Sequence, residues 1–194
     1  MKTKLFIAHV ASRIFDPFIV FFFLLIMASV RGGATGMNLV STVVVLVGGM
    51  IVPPMLLLFW AVRTKKVSNW DISDRRQRVW AFLLFFLFLF FDVFIIKALH
   101  NEALSQLFIL FIVSFIGTFC ITLFWKISGH VSTLALVIGM ILHWYGFSWW
   151  PLLLLLPFLS WSRVVLKRHT VAQTIGGSIY GLLVTYIASS IGFV

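Results

Sequence analysis

An all-α, polytopic membrane bundle of six to seven helices is the architecture this sequence predicts, and three observations predict it. Of 194 residues, 62% are hydrophobic and only 10% charged, whereas a soluble domain runs to roughly 45–50% apolar and about 25% charged residues. Mean hydropathy is +1.12. The apolar residues are gathered in runs approaching ~20 residues, the length a helix needs to cross the hydrocarbon core of a bilayer. Beside such runs this length leaves no room for an extramembrane domain, so residues 1–194 are read as a single integral membrane domain.

The elements follow in order. The opening MKTKLFIAHVASRIFDP has a basic head, but His9 and Arg13 interrupt its apolar stretch, so it reads as retained chain and not as a cleaved signal. Spans are expected near 14–31, 38–62, 79–99, 104–125, 130–147, 150–163 and 170–193. The second carries Pro53-Pro54; each proline removes a backbone donor and crowds the preceding turn, which predicts a kink. In the third, the run from Phe85 to Phe91 reads as lipid-facing or core bulk. Asp92 lies beyond it, about fourteen residues past Arg78, and at ~1.5 Å per residue this separates the two by ~20 Å. A structural or outer-interface role is expected for Asp92. The fifth and sixth spans are short and share a turn at Gly146-Phe147-Ser148, which implies burial in protein or partial re-entry. In the seventh, Gly177-Ser178-Ile179-Tyr180-Gly181 offers a small-xxx-small surface for close helix packing.

The formal charge is +10, and in such an apolar chain it is read first as a topology signal and not as a nucleic-acid footprint. With the N-terminus cytoplasmic, the inside segments carry Lys2, Lys4, Arg13, Arg63, Lys65, Lys66, Arg75, Arg76, Arg78, Lys126, Arg163, Lys167 and Arg168, against Arg31 and Lys97 outside. That bias places segments 63–78, 126–130 and 162–169 on the cytoplasmic face, with Trp144, Trp149 and Trp150 at the outer interface. Cys120 is the single cysteine and can form no internal disulfide.

Two of these polar segments carry chemistry. Lys126-Ile127-Ser128-Gly129-His130 opens one helix, and Ser162-Arg163 followed by Lys167-Arg168-His169-Thr170 and Gln173 opens the last. Backbone N–H groups at helix starts, with Arg and Lys beside them, favour an anion such as phosphate. Two histidines there can divide phosphoryl transfer, one attacking phosphorus and one protonating the leaving oxygen. The alternative is a pair of interfacial histidines that cap helices. For Arg163 and for segment 71–79 the alternative is a basic anchor that fixes topology. His100, Glu102 and His143 fall toward the outer side, and no HExxH or CxxC metal spacing occurs.

The two segments resemble the type-2 phosphatidic acid phosphatase superfamily, metal-independent phosphatases whose pattern is KxxxxxxRP, then PSGH, then SRxxxxxHxxxD. Ser128-Gly129-His130 is similar to the second motif, and Ser162-Arg163 followed after five intervening residues by His169 is similar to the third. The resemblance implies the phosphatase-type helical core and no cofactor. It implies that His169 is the nucleophile forming a phosphohistidine, His130 the general acid, and Arg163 a clamp on phosphate oxygens, joined by Ser162, Ser128 and the Gly129 amide. Lys126 is an added cation before the second motif. Three positions depart from the pattern. Ile127 replaces the proline. Gln173 replaces the aspartate, where it can accept the His169 Nδ1–H bond without supplying charge. In the first motif Arg78 takes the arginine position, while Asp71 falls where lysine is expected, so Lys66 or Arg75 would have to supply the missing cation. The expected partners are a lipid phosphate or diphosphate and membrane lipid, with no nucleic acid. The competing expectation is a weak or inactive relative that binds or transports a phosphate-bearing lipid.

Overall fold

The computed structural model describes residues 2–68, 70, 72 and 74–192, and they contain helices and no strand. The helices are α1 (Lys2–Ile14), α2 (Pro17–Arg31), α3 (Gly36–Leu46), α4 (Val52–Arg63), α5 (Arg75–Ala98), α6 (Glu102–Phe124), α7 (Gly129–Tyr145), α8 (Leu155–Val165) and α9 (Val171–Ser190). A π-helical turn, Val47–Ile51, joins α3 to α4, and a 3-10 stretch, Phe147–Leu154, leads into α8. Five stretches are long and apolar enough to cross a membrane: Lys2–Arg31, Gly36–Arg63, Arg76–Ala98, Glu102–Phe124 and Val171–Ser190. They fit an integral, multi-pass membrane protein. The expected fifth span is the shorter apolar helix Gly129–Tyr145, and the expected sixth is divided between the 3-10 stretch and α8.

The chain separates into two compact units, one of Met1–Phe21 with Trp125–Val194 and one of Phe22–Phe124. In the second, Phe82 and Phe86 of α5 pack on Phe115 and Phe119 of α6, with edge contacts such as Phe86–Phe115 at 5.1 Å. Phe90, Phe91 and Phe94 point outward. The Phe-rich run is therefore core on one side and outward-facing bulk on the other. The kink expected at Pro53-Pro54 takes the form of the π turn just before them. Two consecutive residues without N–H leave carbonyls one turn back without their usual donors, and widening the helix there relieves the ring clash. Asp92 is buried within this unit.

In the first unit the N-terminal segment differs from expectation. Residues 2–13, which precede the first span expected at 14, form a helix, α1, whose Ala8, Ala11 and Ser12 are buried. Those positions follow i, i+3, i+4 and form one helix face. The break comes at Asp16-Pro17, because a residue before proline is held out of the α region and proline suits the first helical position. Asp16 Oδ1 accepts the Phe18 N–H at 3.0 Å and so caps α2. His9 is exposed.

Helices α7 and α9 run parallel and pack closely. Gly177 meets the Ser128 and Ser132 backbone, Gly181 meets Ser132 and Ala135, and Gly139 meets the Thr185 side chain. The pairings climb both helices together. Thr185 Oγ1 donates to the Leu136 carbonyl at 3.3 Å across the same seam. A Cβ on Gly177 would stand 2.9 Å from the Ser128 carbonyl oxygen, so this seam admits only glycine at that backbone separation. The consequence is that both helix N-termini, and the polar segments before them, arrive at one end of the unit.

Candidate active site

The turn between α8 and α9 sets the positions of Arg163 and His169. The Lys167 N–H donates to the Val164 carbonyl at 2.9 Å and the Arg168 N–H to the Arg163 carbonyl at 3.0 Å, the paired bonds of a Schellman ending. Lys167 takes the left-handed position at φ 55°. The chain thereby reverses within four residues, and His169 follows at once, buried, with its own N–H 3.4 Å from the Arg163 carbonyl.

Gln173 lies one helical turn after His169. Its Oε1 accepts from the Thr170 backbone N–H at 3.1 Å, and the Thr170 hydroxyl accepts from the Gln173 N–H at 3.3 Å, a reciprocal capping box at the head of α9. The same Oε1 stands 3.2 Å from His169 Nδ1. A backbone N–H can only donate, so the amide atom facing it is the oxygen. Nδ1 must then carry the proton, and Nε2 is left as the ring's lone-pair nitrogen. Gln173 thus sets the tautomer that an attacking histidine requires, through an oxygen that is itself fixed by a cap.

The second segment is tied to the first by backbone. The Ser128 N–H donates to the Gln173 carbonyl at 3.1 Å, and Lys126 Nζ donates to the Arg168 carbonyl at 3.1 Å. Ser128 is the N-cap residue of α7, yet its side chain makes no capping bond. Its hydroxyl is fully buried and has no hydrogen-bond partner. A buried hydroxyl in that state carries a cost of about 1–3 kcal/mol, which a ligand oxygen would remove. Lys126 therefore turns toward the His169 loop and braces it.

Arg163 is 1% exposed, which sets aside a solvated topological anchor. A guanidinium buried this deeply is held by partners, and one is a neutral hydroxyl, Ser12 Oγ, which accepts from Nη1 at 2.5 Å. Ser162 Oγ donates to the Ala8 carbonyl at 2.6 Å. Both bonds come from α1. Ser162 thereby ties α8 to α1 beside Arg163. Asp16, at the α1–α2 break, places Oδ2 4.0 Å from His130 Nε2. Ser12 and Asp16 are site residues that sequence reasoning missed. One signal was present in the sequence: residues 1–21 and 125–194 contain a single side-chain carboxylate, Asp16.

The unit thus brings together Lys126, Ser128, Gly129, His130, Ser162, Arg163, His169 and Gln173. Arg78 belongs to the other unit, where its Nε donates to the Ile72 carbonyl at 3.3 Å at the start of α5. Asp71, at the expected lysine position, lies outside the described residues, as does the side chain of Arg75. Among the described residues no group of three or more His, Cys, Asp or Glu could hold a metal ion.

Compared with protein-family models, residues 116–193 match the PAP2 superfamily. Compared with curated proteins and with solved structures, the chain has no significant match. The matched stretch includes His130, Arg163, His169 and Gln173 and leaves out α1, Asp16 and Arg78. Over residues 116–193, with their parallel α7 and α9 and the two histidines at the heads of those helices, the chain is similar to the PAP2 superfamily, the type-2 phosphatidic acid phosphatase superfamily.

Proposed function

We propose that this protein is a metal-independent phosphatase of membrane lipid phosphates or diphosphates that works through a phosphohistidine. The observation that carries the reading is the His169–Gln173 bond at 3.2 Å, with the Gln173 oxygen fixed by the Thr170 N–H. It supports an imidazole protonated on Nδ1, with the lone pair on Nε2. Nε2 attacks phosphorus and the bond to the leaving oxygen breaks, while His130 transfers a proton to that oxygen. Water then attacks the phosphohistidine, His130 takes back a proton, and inorganic phosphate leaves with His169 restored. Arg163, the Ser128 hydroxyl and the N–H groups heading α7 and α9 stabilise charge on the equatorial oxygens, which is where most catalysis of phosphoryl transfer arises.

Phosphatidic acid, prenyl diphosphates and phosphatidylglycerol phosphate all carry the required group, with their chains left in lipid. Lys126, Arg163, Lys167 and Arg168 gather at the site end of the unit, which supports a cytoplasmic face for it. A second reading, a relative that binds or transports a phosphate-bearing lipid, is favoured by one observation: Gln173 contributes no charge. Phosphate release from these lipids in detergent with EDTA, comparing wild type with His169→Ala, separates the two. Release by wild type alone is expected. Silence from both folded proteins, with lipid binding retained, moves the assignment to a binding role.

A further inference from the structure

We infer that Asp16 is the positioning residue of His130: it supplies the counter-charge that holds the imidazole in its proton-bearing, donor form. The inference rests on the phosphatase reading only for what His130 then does. Three observations carry it. Asp16 Oδ2 is 4.0 Å from His130 Nε2, with the two side chains 28% and 11% exposed, so the pair is partly shielded from solvent screening. Asp16 is held in place independently, since its other oxygen caps α2 through the Phe18 N–H. It is also the sole side-chain carboxylate of a unit that carries Lys2, Lys4, Arg13, Lys126, Arg163, Lys167 and Arg168.

The charge pattern makes the carboxylate necessary. The unit that holds His130 also carries Arg13 on α1, Lys126 in the segment before α7, Arg163 on α8, and Arg168 and His169 in the turn before α9. Every one is a cation or a base, and the head of α7 adds a positive dipole end. That field favours a neutral imidazole, which suits His169 as a nucleophile. It opposes the charged form that His130 needs as an acid. A carboxylate about 4 Å away reverses the balance for the histidine it faces. Two histidines in one basic site are thereby driven to opposite protonation states, one by Gln173 through tautomer and one by Asp16 through charge.

Asp16→Asn separates this from capping, because asparagine caps a helix as well as aspartate does. His130 in the detergent-solubilised full chain is followed by NMR of labelled histidine, with His130→Gln giving the assignment, and phosphatidic acid and a prenyl diphosphate serve as turnover probes. In Asp16→Asn the His130 titration moves to lower pH, thermal unfolding is unchanged, and kcat falls about tenfold with its alkaline limb moving to lower pH. Asp16→Ala shows the same titration shift and also loses thermal stability. An unchanged His130 titration in Asp16→Asn overturns the inference, with or without turnover. So does a shifted titration with kcat and its pH profile left at wild-type values. A shifted titration in a protein whose wild type hydrolyses neither probe upholds the ion pair and refutes the phosphatase reading instead.

Discussion

Replacing Gln173 with glutamate puts a carboxylate beside the proposed nucleophile without moving an atom, and the geometry limits how much that helps. Oε1 stands 3.2 Å from His169 Nδ1 and 3.1 Å from the Thr170 N. Both partners donate, so glutamate keeps both bonds and completes a Thr-x-x-Glu capping box. As phosphohistidine forms, the imidazole gains positive charge. A full negative charge at that distance gives a gross attraction of about 5 kcal/mol at an effective dielectric constant near 20. Most of this is offset by desolvating the carboxylate, and the difference between a neutral and a charged hydrogen bond is about 1 kcal/mol net. Loss of the corresponding aspartate in serine proteases costs ~10⁴ in rate, but there the tautomer is lost as well. Here the Thr170 N–H already fixes the tautomer, so that component is not available to be regained. We therefore expect Gln173→Glu to raise kcat for phosphate release by about tenfold, with thermal unfolding unchanged or slightly higher from the acidic group in the first turn of α9. The assay is steady-state phosphate release at saturating lipid with EDTA. A folded Gln173→Glu protein no faster than a measurable wild type would refute the assignment of His169 as the group that gains charge. A gain near 10⁴ would refute the claim that Gln173 already holds the tautomer.

The remaining expectations concern the seams that hold the site. Gly177→Ala would place a methyl 2.9 Å from the Ser128 carbonyl oxygen and 3.4 Å from the Ser132 nitrogen. Overpacking of this kind costs about 1–3 kcal/mol, and because the contact is backbone at the head of α7, phosphate release should fall further than thermal stability. A variant that loses stability but keeps its turnover would separate the seam from the site. Ser162→Ala removes the hydroxyl that donates to the Ala8 carbonyl and ties α8 to α1. A loss of about 0.5–1.5 kcal/mol follows, read as a lower thermal unfolding midpoint in detergent, and an unaltered midpoint would mean that α1 does not depend on this bond.

How much of this was legible in the sequence differs by element. The membrane class followed from composition, and the two segments of the candidate site followed from Ser128-Gly129-His130 and Ser162-Arg163 with His169 spaced as they are. The role of Gln173 was readable because residues four apart share a helix face. The Gly177–Gly181 stripe was readable as a packing surface because small residues leave no other signature. What escaped was long-range. Nothing local in KTKLFIAHVASRI says that Ala8, Ala11 and Ser12 will lie on α8, since the residues it buries are small and its partner stands some 150 residues away. The π turn escaped in form though not in place: two prolines announce a disturbed helix, but whether it bends or widens depends on neighbouring packing.

The placement of Arg163 explains why the N-terminal helix belongs to the chemistry of this unit. A guanidinium that is 1% exposed must be held by groups that do not neutralise it if it is to receive a phosphate, because a carboxylate partner would fill the site with the wrong anion. Ser12 meets that requirement: it accepts from Nη1, fixes the guanidinium, and brings no charge. Ser162, one residue earlier on α8, secures the same helix through the Ala8 carbonyl. The one carboxylate that α1 leads to is Asp16, where the chain breaks before Pro17, and it faces His130. A single short helix thus delivers a neutral partner to the cation and a charged partner to the proposed acid. The matched residues 116–193 contain neither, so these two polar partners come from outside the matched region.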